Sequence, residues 1–532
     1  MNLRSTPHTP LPPSIPFPDE SLPEGSVVDG ASLASDVDEA YDAVVVGSGA
    51  AGAVAAHVLA SAGWSVAIVE EGPWVKTRDF GERVYDAFKR MFRDGGTQVL
   101  EGRSYIPLIQ GRCVGGSTVM NSAIVHRTPE DVLADWSARF SLGDAIGPAV
   151  LEPHFDALER DLHASAVQDD ALGENNRLFL VRAASEGLRA RRMVRYERGC
   201  RGSGRCVQGC PTAAKQGMNV SYVPWALSLG ARIYCSCHVE HVETRGNRVV
   251  GVVARTVSAD RTASRGHAAR LVRLRARKAV LVAASTVQTP NLLRRSGLRA
   301  RALGRHFQCH PGLGVAAVFD DPVAMHQGAT QGAESLDLRV SDRLKLETIS
   351  MPPELAAVRI PGVGRELMAR LGRFANVAVW AMVLRAEAEG RVGRGWSGRD
   401  RVTFSLARTD VERARKGVAL LSRMMFRAGA REVWPGVSGL PGVLRSIDEV
   451  RAIDEVPPES RAFSFIATHL FGAARMGMQP EASVVGPDFQ CHELRGLYVV
   501  DSSVFPTNLG VNPQHSIMAM SRLAATRLAE RA

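Results

Sequence analysis

The stretch YDAVVVGSGAAGAVAAHVLASAGWSVAIVEEGP, residues 41–73, restricts the fold more than any other part of this chain. Its unbroken apolar run, Ala43–Val46, has the composition of a strand buried on both faces of a sheet. It leads into Gly47, Gly49 and Gly52, an alanine-rich stretch of helical character, and a second apolar run that ends in Glu70. Strand, glycine turn, helix and strand in that order read as a βαβ unit of Rossmann type, so the fold class is α/β. Gly47 permits the tight turn, Gly49 lets backbone approach a pyrophosphate, and Gly52 lets the helix pack close to the strand. The helix start at Ala50 and Ala51 offers unpaired N–H groups and positive potential to an anion. Glu70, eighteen residues beyond Gly52, stands where a carboxylate accepts hydrogen bonds from a ribose diol. Its neighbour Glu71 is the alternative for that role, but it runs into a Gly-Pro turn and is expected to face solvent. A dinucleotide is expected here, and this motif leaves NAD and FAD both open.

That unit occupies only the start of a 532-residue chain with 45% hydrophobic content, long enough for about two or more domains. The net charge of +10, from 65 basic and 55 acidic residues, is spread thinly. In the densest basic run, RLVRLRARKAV, Arg273, Arg275 and Arg277 share one strand face while Val272, Leu274 and Ala276 share the other. Such a face is expected to be solvated, and no nucleic-acid partner is expected. No run approaches the ~20 apolar residues of a membrane span, and the N-terminus has no apolar signal core, so the expected location is cytoplasmic. Residues 1–38, rich in Pro and Ser, read as an irregular arm.

Three later blocks narrow the cofactor. GRCVGGSTVMNSAIVHR (111–127), AASTVQTPNLLRRSGL (283–298), and THLFGAARMG with LYVVDSSVFPTNLGVNPQHSIMAM follow the first unit in order. Together the four blocks resemble the glucose-methanol-choline (GMC) oxidoreductases, a family of FAD-dependent flavoproteins, from about residue 40 to 532. The resemblance implies an FAD-binding domain interwoven with an α+β substrate, or cap, domain on an antiparallel sheet. The expected segments are FAD-binding parts at 39–155, 228–318 and 461–532, a Cys-containing insertion at 156–227, and the cap at 319–460. It also implies cofactor contacts at Gly111, Gly115, Gly116, Ser117 and Asn121, at Val239 on a strand beside His238, at Asp501 and Ser502, and at Pro513. Gly115 and Gly116 would remove side chains where the chain passes the flavin. Some members attach flavin through a His just before the Asn; Met120 stands there, so FAD is expected to be noncovalent. Ser285 and Thr286 depart from the small residues usual in the second block.

Alcohol oxidation by hydride transfer needs a group that removes the hydroxyl proton, and a neutral imidazole suits this at neutral pH. The resemblance places His469 in that role and Asn512, not His515, at the second catalytic position. An Asn before Pro is also a strong helix N-cap, so Asn512 has a structural reading beside the functional one. His515 is expected to pack rather than line the site. The expected reaction turns an alcohol into an aldehyde or ketone, followed by reoxidation by O₂ or another acceptor.

The segment CRGSGRCVQGCP sets Cys200, Cys206 and Cys210 before Pro211, with Ser203 at the remaining position of a ferredoxin-like spacing. A structural loop with free or paired cysteines is the main expectation, with no metal; a structural metal, or an iron–sulfur centre with Cys235 and Cys237 nearby, are the alternatives. The loop resembles the long-chain alcohol oxidase-like branch of the family, which slightly favours an apolar, long-chain or sterol-like alcohol. A sugar-like or aminoglycoside hydroxyl, or a non-oxidative lyase or decarboxylase reaction, are the rivals. Trp380, Met382, Trp396, Met424, Met425 and Phe426 are the cap side chains offered to either substrate or core.

Overall fold

The computed structural model describes residues 17–258, 269–396 and 398–531. Among these, two large sheets carry the architecture. In the first, Val37–Val46 lies parallel between Val66–Val69 and Leu271–Val282, in the register Ala43↔Val66 and Ala43↔Ala279. Arg232–Cys235 extends this sheet beyond Val66–Val69, and Val27–Asp29 closes that edge. Leu271–Val282 has a double use. One edge pairs in parallel with Val37–Val46 along its length; on the other edge its C-terminal end pairs in parallel with Leu497–Val499 and its N-terminal half antiparallel with Arg248–Thr256. Part of the segment read as an irregular arm is therefore sheet: Val27–Asp29 is a three-residue edge strand, too short for period-two alternation to show, and the central strand already begins at Val37.

Helix Ala50–Ser61 covers this sheet and packs against Gln514–Glu530, where Ser521 Oγ donates to Ala51 O at 2.7 Å. The chain's last helix is thereby fixed to its first. Arg273, Arg275 and Arg277 lie outward, paired with Glu243, Asp38 and Asp42.

The second sheet runs Arg391–Arg394, Asp400–Thr403, Gln98–Glu101, Ile106–Leu108, Ile466–Phe471, Gln308–Val318, Val377–Leu384, Leu344–Thr348, Ala333–Ser335 and Arg191–Arg192. Strands from four distant regions share it, because most of its central pairings are antiparallel and need no local crossover. Helix Arg408–Arg427 buries Val411, Ala414, Val418, Leu421 and Met425, a spacing of three and four, against one face. Leu313, Val315, Trp380, Met382, Leu344 and Leu346 point to that face. By the alternation of strands, His310, Gly312, Gly314, Ala381, Val383, Lys345 and Glu347 point to the other. Of the cap side chains singled out in the sequence, Trp380, Met424 and Met425 are thus core, Phe426 is partly buried against them, and Trp396 is fully exposed.

Where the two sheets meet, the glycine turn of the first sheet is packed to its limit. Gly47 has φ +99°, and a Cβ at Gly52 would lie 1.9 Å from Gly47 O, whereas a Cβ at Gly49 would meet nothing nearer than Gly116 Cα at 3.9 Å. The expected outcome is that Gly52→Ala lowers the melting temperature by more than about 5 °C or abolishes soluble protein, while Gly49→Ala melts near wild type; thermal unfolding of both checks it.

Candidate active site

A cavity of about 760 Å³ lies between the sheets, near the upper end of the ~300–1,000 Å³ range for small-molecule sites. Gly47, Gly49, Ala50, Ala51, Glu70, Gly111, Gly116, Ser117, Asn121, Val239, Asp501, Ser502, Asn512, Pro513 and His469 all line it. Residues from four sequence blocks therefore converge on one space. Gly52 and Gly115 stand behind the wall and act on the backbone: Gly52 by close packing, Gly115 by a turn with φ +93°.

At the end of the cavity beside Ala50–Ser61, Ser48 ties the parts together. Its Oγ donates to Glu70 Oε2 at 2.7 Å and accepts the Gly115 N–H at 3.1 Å. Glu70 also accepts the N–H groups of Ser48 and Gly72, so three of its roughly four acceptor sites are filled and one remains for a hydroxyl in the cavity. Burial pushes its carboxyl up, against these hydrogen bonds. Glu71 does not face solvent as its turn suggested. It lines the cavity and pairs with Arg93 at 2.8 Å, Arg112 at 3.1 Å and His238 at 3.5 Å. Burial would raise Glu71, but Arg93 and His238 outweigh it and hold the carboxyl well below its usual range. Those partners lie 22, 41 and more residues away, outside any local pattern. Val239 O accepts from Arg295 at 3.3 Å.

Further along, Asn121 Nδ2 donates to Gln514 Oε1 at 2.5 Å and its Oδ1 accepts the Ala123 N–H. Gln514 Nε2 is buried without a partner beside the same cavity. Asp501 accepts from Ser285 N, Thr289 Oγ1 and Ser503 N, and so caps the short helix Ser502–Val504 while lining the cavity. Burial raises its carboxyl against those donors. Ser285 adopts φ +87°, the left-handed region that favours glycine, and its Oγ accepts from Gln110 Nε2 at 2.6 Å; Thr286 Oγ1 bonds Leu470 O and Ser502 Oγ. The departures in the second block are thus absorbed by hydrogen bonds, of Ser285 to Gln110 and of Thr286 to the C-terminal block.

The pair His469 and Asn512 sits between this region and the second sheet. A β-bulge at Thr468, between the pairings His310↔His469 and Pro311↔Ala467, turns His469 into the cavity. Asn512 Nδ2 lies 3.4 Å from His469 Nε2. The N-cap reading of Asn512 fails, because Pro513 is the cap residue of Gln514–Glu530, no side chain caps it, and Asn512 Oδ1 is taken by Lys345 Nζ at 2.5 Å. His515 turns away into the core, bonded to Tyr196 Oη and, at 3.1 Å, to Glu159.

Burial, with the charge of Lys345 and the nearness of His126, pushes His469 down to about 3, so the ring is neutral at ordinary pH. Its two tautomers serve different neighbours. His310, held well below its usual range chiefly by burial, accepts the Gly510 N–H on Nε2 at 2.9 Å and must carry its proton on Nδ1, 3.3 Å from His469 Nδ1. His469 Nδ1 accepts there in the tautomer protonated on Nε2; in the other tautomer Nε2 accepts from Asn512 Nδ2, whose amide oxygen is held by Lys345. In the first tautomer two donors, His469 Nε2–H and Asn512 Nδ2–H, stand side by side in the cavity wall.

Lys345 and Glu347 carry no signal in the sequence reading. LKLET alternates as a half-exposed strand would, yet all five residues are buried. The Cys segment also gains a definite place. Arg195 Nη2 donates to Cys206 Sγ at 3.3 Å, and Lys215 Nζ donates to Cys206 O, Val119 O and Asn121 O, so the loop is fastened to the turn that carries Asn121. Among the described residues no three His, Cys, Asp or Glu converge as a metal site would need.

Comparison with known proteins agrees with this geometry. Two parts of the GMC oxidoreductase family match residues 41–312 and 398–521. The chain is 35% identical over 489 residues to an uncharacterized GMC-type oxidoreductase of Mycobacterium tuberculosis, covering 91% of this chain and 75% of that one. It is 27% identical over 527 residues to a long-chain-alcohol oxidase of Arabidopsis thaliana, covering 92% and 66%. In structure it is similar to a formate oxidase of Aspergillus oryzae (TM-score 0.70, 16% identity, 94% and 99% covered) and to pyridoxine 4-oxidase from Mesorbium loti (0.67, 18%, 91% and 98%).

The cavity fits FAD: the Gly49 gap opens onto the start of Ala50–Ser61, Glu70 keeps an acceptor site, and Gln514 Nε2 is an orphaned donor at the other end. Glu70→Ala is expected to strip most of the FAD from purified protein, since Ser48 and Gly72 lose their acceptor at about 1–3 kcal/mol each, while Glu70→Gln retains more. The flavin-to-protein absorbance ratio after gel filtration reads both. From its match to both parts of the family and the convergence of their motifs on one cavity, this chain belongs to the GMC oxidoreductases and binds FAD.

Proposed function

We propose that this protein oxidises an apolar alcohol to an aldehyde or ketone, with noncovalently bound FAD supplying the hydride acceptor. The observation that carries the substrate reading is the lining beyond His469. The sheet face there shows Gly312 and Gly314, which leave its floor bare, with Ala381, Val383 and Ile466 around them and Ile349, Met351, Leu355 and Val358 continuing outward. Thr330, Gln331, Glu347 and Ser350 are polar side chains along one side, with Thr468 beside His469 and Arg359 at the outer end next to Val358. A sugar-like substrate would leave most of that floor without polar contacts. The alcohol oxidase named among the relatives, at 27% identity, points the same way.

The alcohol oxygen is held between Asn512 Nδ2–H and His469 Nε2–H, and its proton has two possible destinations. His469 takes it once the ring proton has moved to Nδ1, which forfeits the Gly510–His310 hydrogen bond, a cost of about 1 kcal/mol that catalysis easily tolerates. Glu347 takes it without that move; its carboxylate lines the cavity and bonds Lys345 Nζ at 2.7 Å and Gln331 Nε2 at 2.8 Å. The tautomer in which His469 accepts from His310 favours Glu347 as the second reading.

Anaerobic bleaching of the flavin by primary, secondary, sterol and sugar alcohols tests the function; bleaching by sugars and not by apolar alcohols would refute the substrate class, and no bleaching by any would refute alcohol oxidation. With His469 as acceptor, His469→Ala and His469→Gln both lose about 10²–10⁴ in the reduction rate while FAD stays bound, and Glu347→Gln loses little. With Glu347 as acceptor, Glu347→Gln takes that loss and His469→Gln, which keeps a donor, stays within tenfold of wild type. Because His469 titrates near 3, the rate should show no inflection from this group between pH 5 and 8.

A further inference from the structure

The charge nearest to Asn512 belongs to Lys345, which is 0% exposed. An ammonium has three N–H donors and no acceptor. All three are matched here: Glu347 Oε2 at 2.7 Å, Glu334 Oε2 at 3.0 Å and Asn512 Oδ1 at 2.5 Å. Glu334 is in turn held by His126 Nε2 and Arg191 Nε, both at 2.9 Å, so the ammonium is anchored from behind. Burial would drive the proton off Lys345, but Glu347 and Glu334 outweigh it and keep the group charged.

We infer that Lys345 is the positioning residue of the active site: by occupying Asn512 Oδ1 it forces the amide to present Nδ2–H to the substrate oxygen beside His469. An amide left alone could face either way, and with Oδ1 toward the cavity it would repel that oxygen. A buried cation can bond only to the oxygen, so one orientation survives. The same ammonium places a positive charge one amide away from the oxygen that must lose its proton, which favours the charge developing there. The inference rests on the alcohol reading of the site for its kinetics and on the geometry alone for its binding arm.

The experiment is a double-mutant cycle on the flavin-containing enzyme, with 1-decanol as reductant and decanamide, which offers a carbonyl oxygen and cannot be oxidised, as a dead-end ligand read by perturbation of the flavin spectrum. If Lys345 acts through Asn512, Lys345→Met slows flavin reduction about tenfold or more in the wild type and less than twofold in Asn512→Ala, and it weakens decanamide in the first background only. Equal cost in both backgrounds, or no cost in either, would overturn the inference. Lys345→Met leaves two carboxylates short of a partner, so the decanamide arm is repeated with Glu347→Gln present, where Lys345→Met strands Glu334 alone and the cluster carries the net charge it has in the wild type; the same non-additivity is required there. Should 1-decanol fail to reduce the wild-type flavin, the substrate reading falls, and the decanamide arm still decides Lys345.

Discussion

Everything in the site is measured from the place where two glycine turns touch. A Cβ on Gly116 would lie 2.9 Å from Gly49 Cα, so the turn after the first strand and the turn of residues 111–121 approach as bare backbone. Ser48 then links the two with one hydroxyl, donating to Glu70 and accepting from Gly115. That contact leaves the start of helix Ala50–Ser61 open on one side only. Because Gln514–Glu530 packs on the same helix, the position of Asn512 relative to the nucleotide end is set by helix packing rather than by its own loop.

The second sheet supplies what the first cannot. A parallel sheet covered by helices is apolar on both faces and offers chemistry only at its strand ends. The antiparallel sheet has one face on helix Arg408–Arg427 and the other on the cavity, so alternate residues of Gln308–Val318, Val377–Leu384 and Leu344–Thr348 become lining. Glycines at 312 and 314 then make room, and a bulge at Thr468 brings His469 round to meet them. His469, Gly312 and Gly314 therefore line the cavity from two adjacent strands of one sheet.

The first unit was legible in the sequence because its logic is local: strand, turn, helix and acid fall within 30 residues of one another, each with a strong residue preference. Gln98–Glu101, Ile106–Leu108 and Arg191–Arg192 were not legible, since strands of two to four residues carry too little alternation to be told from loop. Glu71 and Asn512 show the same limit at the level of side chains. Each sits in a sequence whose nearest-neighbour preference is clear, a turn for one and a helix cap for the other. Each is claimed instead by a cation from far along the chain, Arg93 and Arg112 for Glu71 and Lys345 for Asn512. Stranding a buried charge costs about 3–5 kcal/mol, against about 1 kcal/mol for a lost cap, so the distant partner prevails.

Lys345 also explains why this pocket tolerates so many buried polar groups. Lys345, Glu334 and Glu347 would each cost several kcal/mol if stranded without partners. Joined, they satisfy one another, and Arg191, which is 59% exposed, connects the cluster to solvent. The arrangement is rigid because no member can move without leaving another unpaired. Rigidity is what an oxygen cradle needs, since donors that must be reoriented during the reaction lose the advantage of having been placed beforehand. A cluster that looks like a burden on folding is thus the part of the second sheet that gives Asn512 its direction.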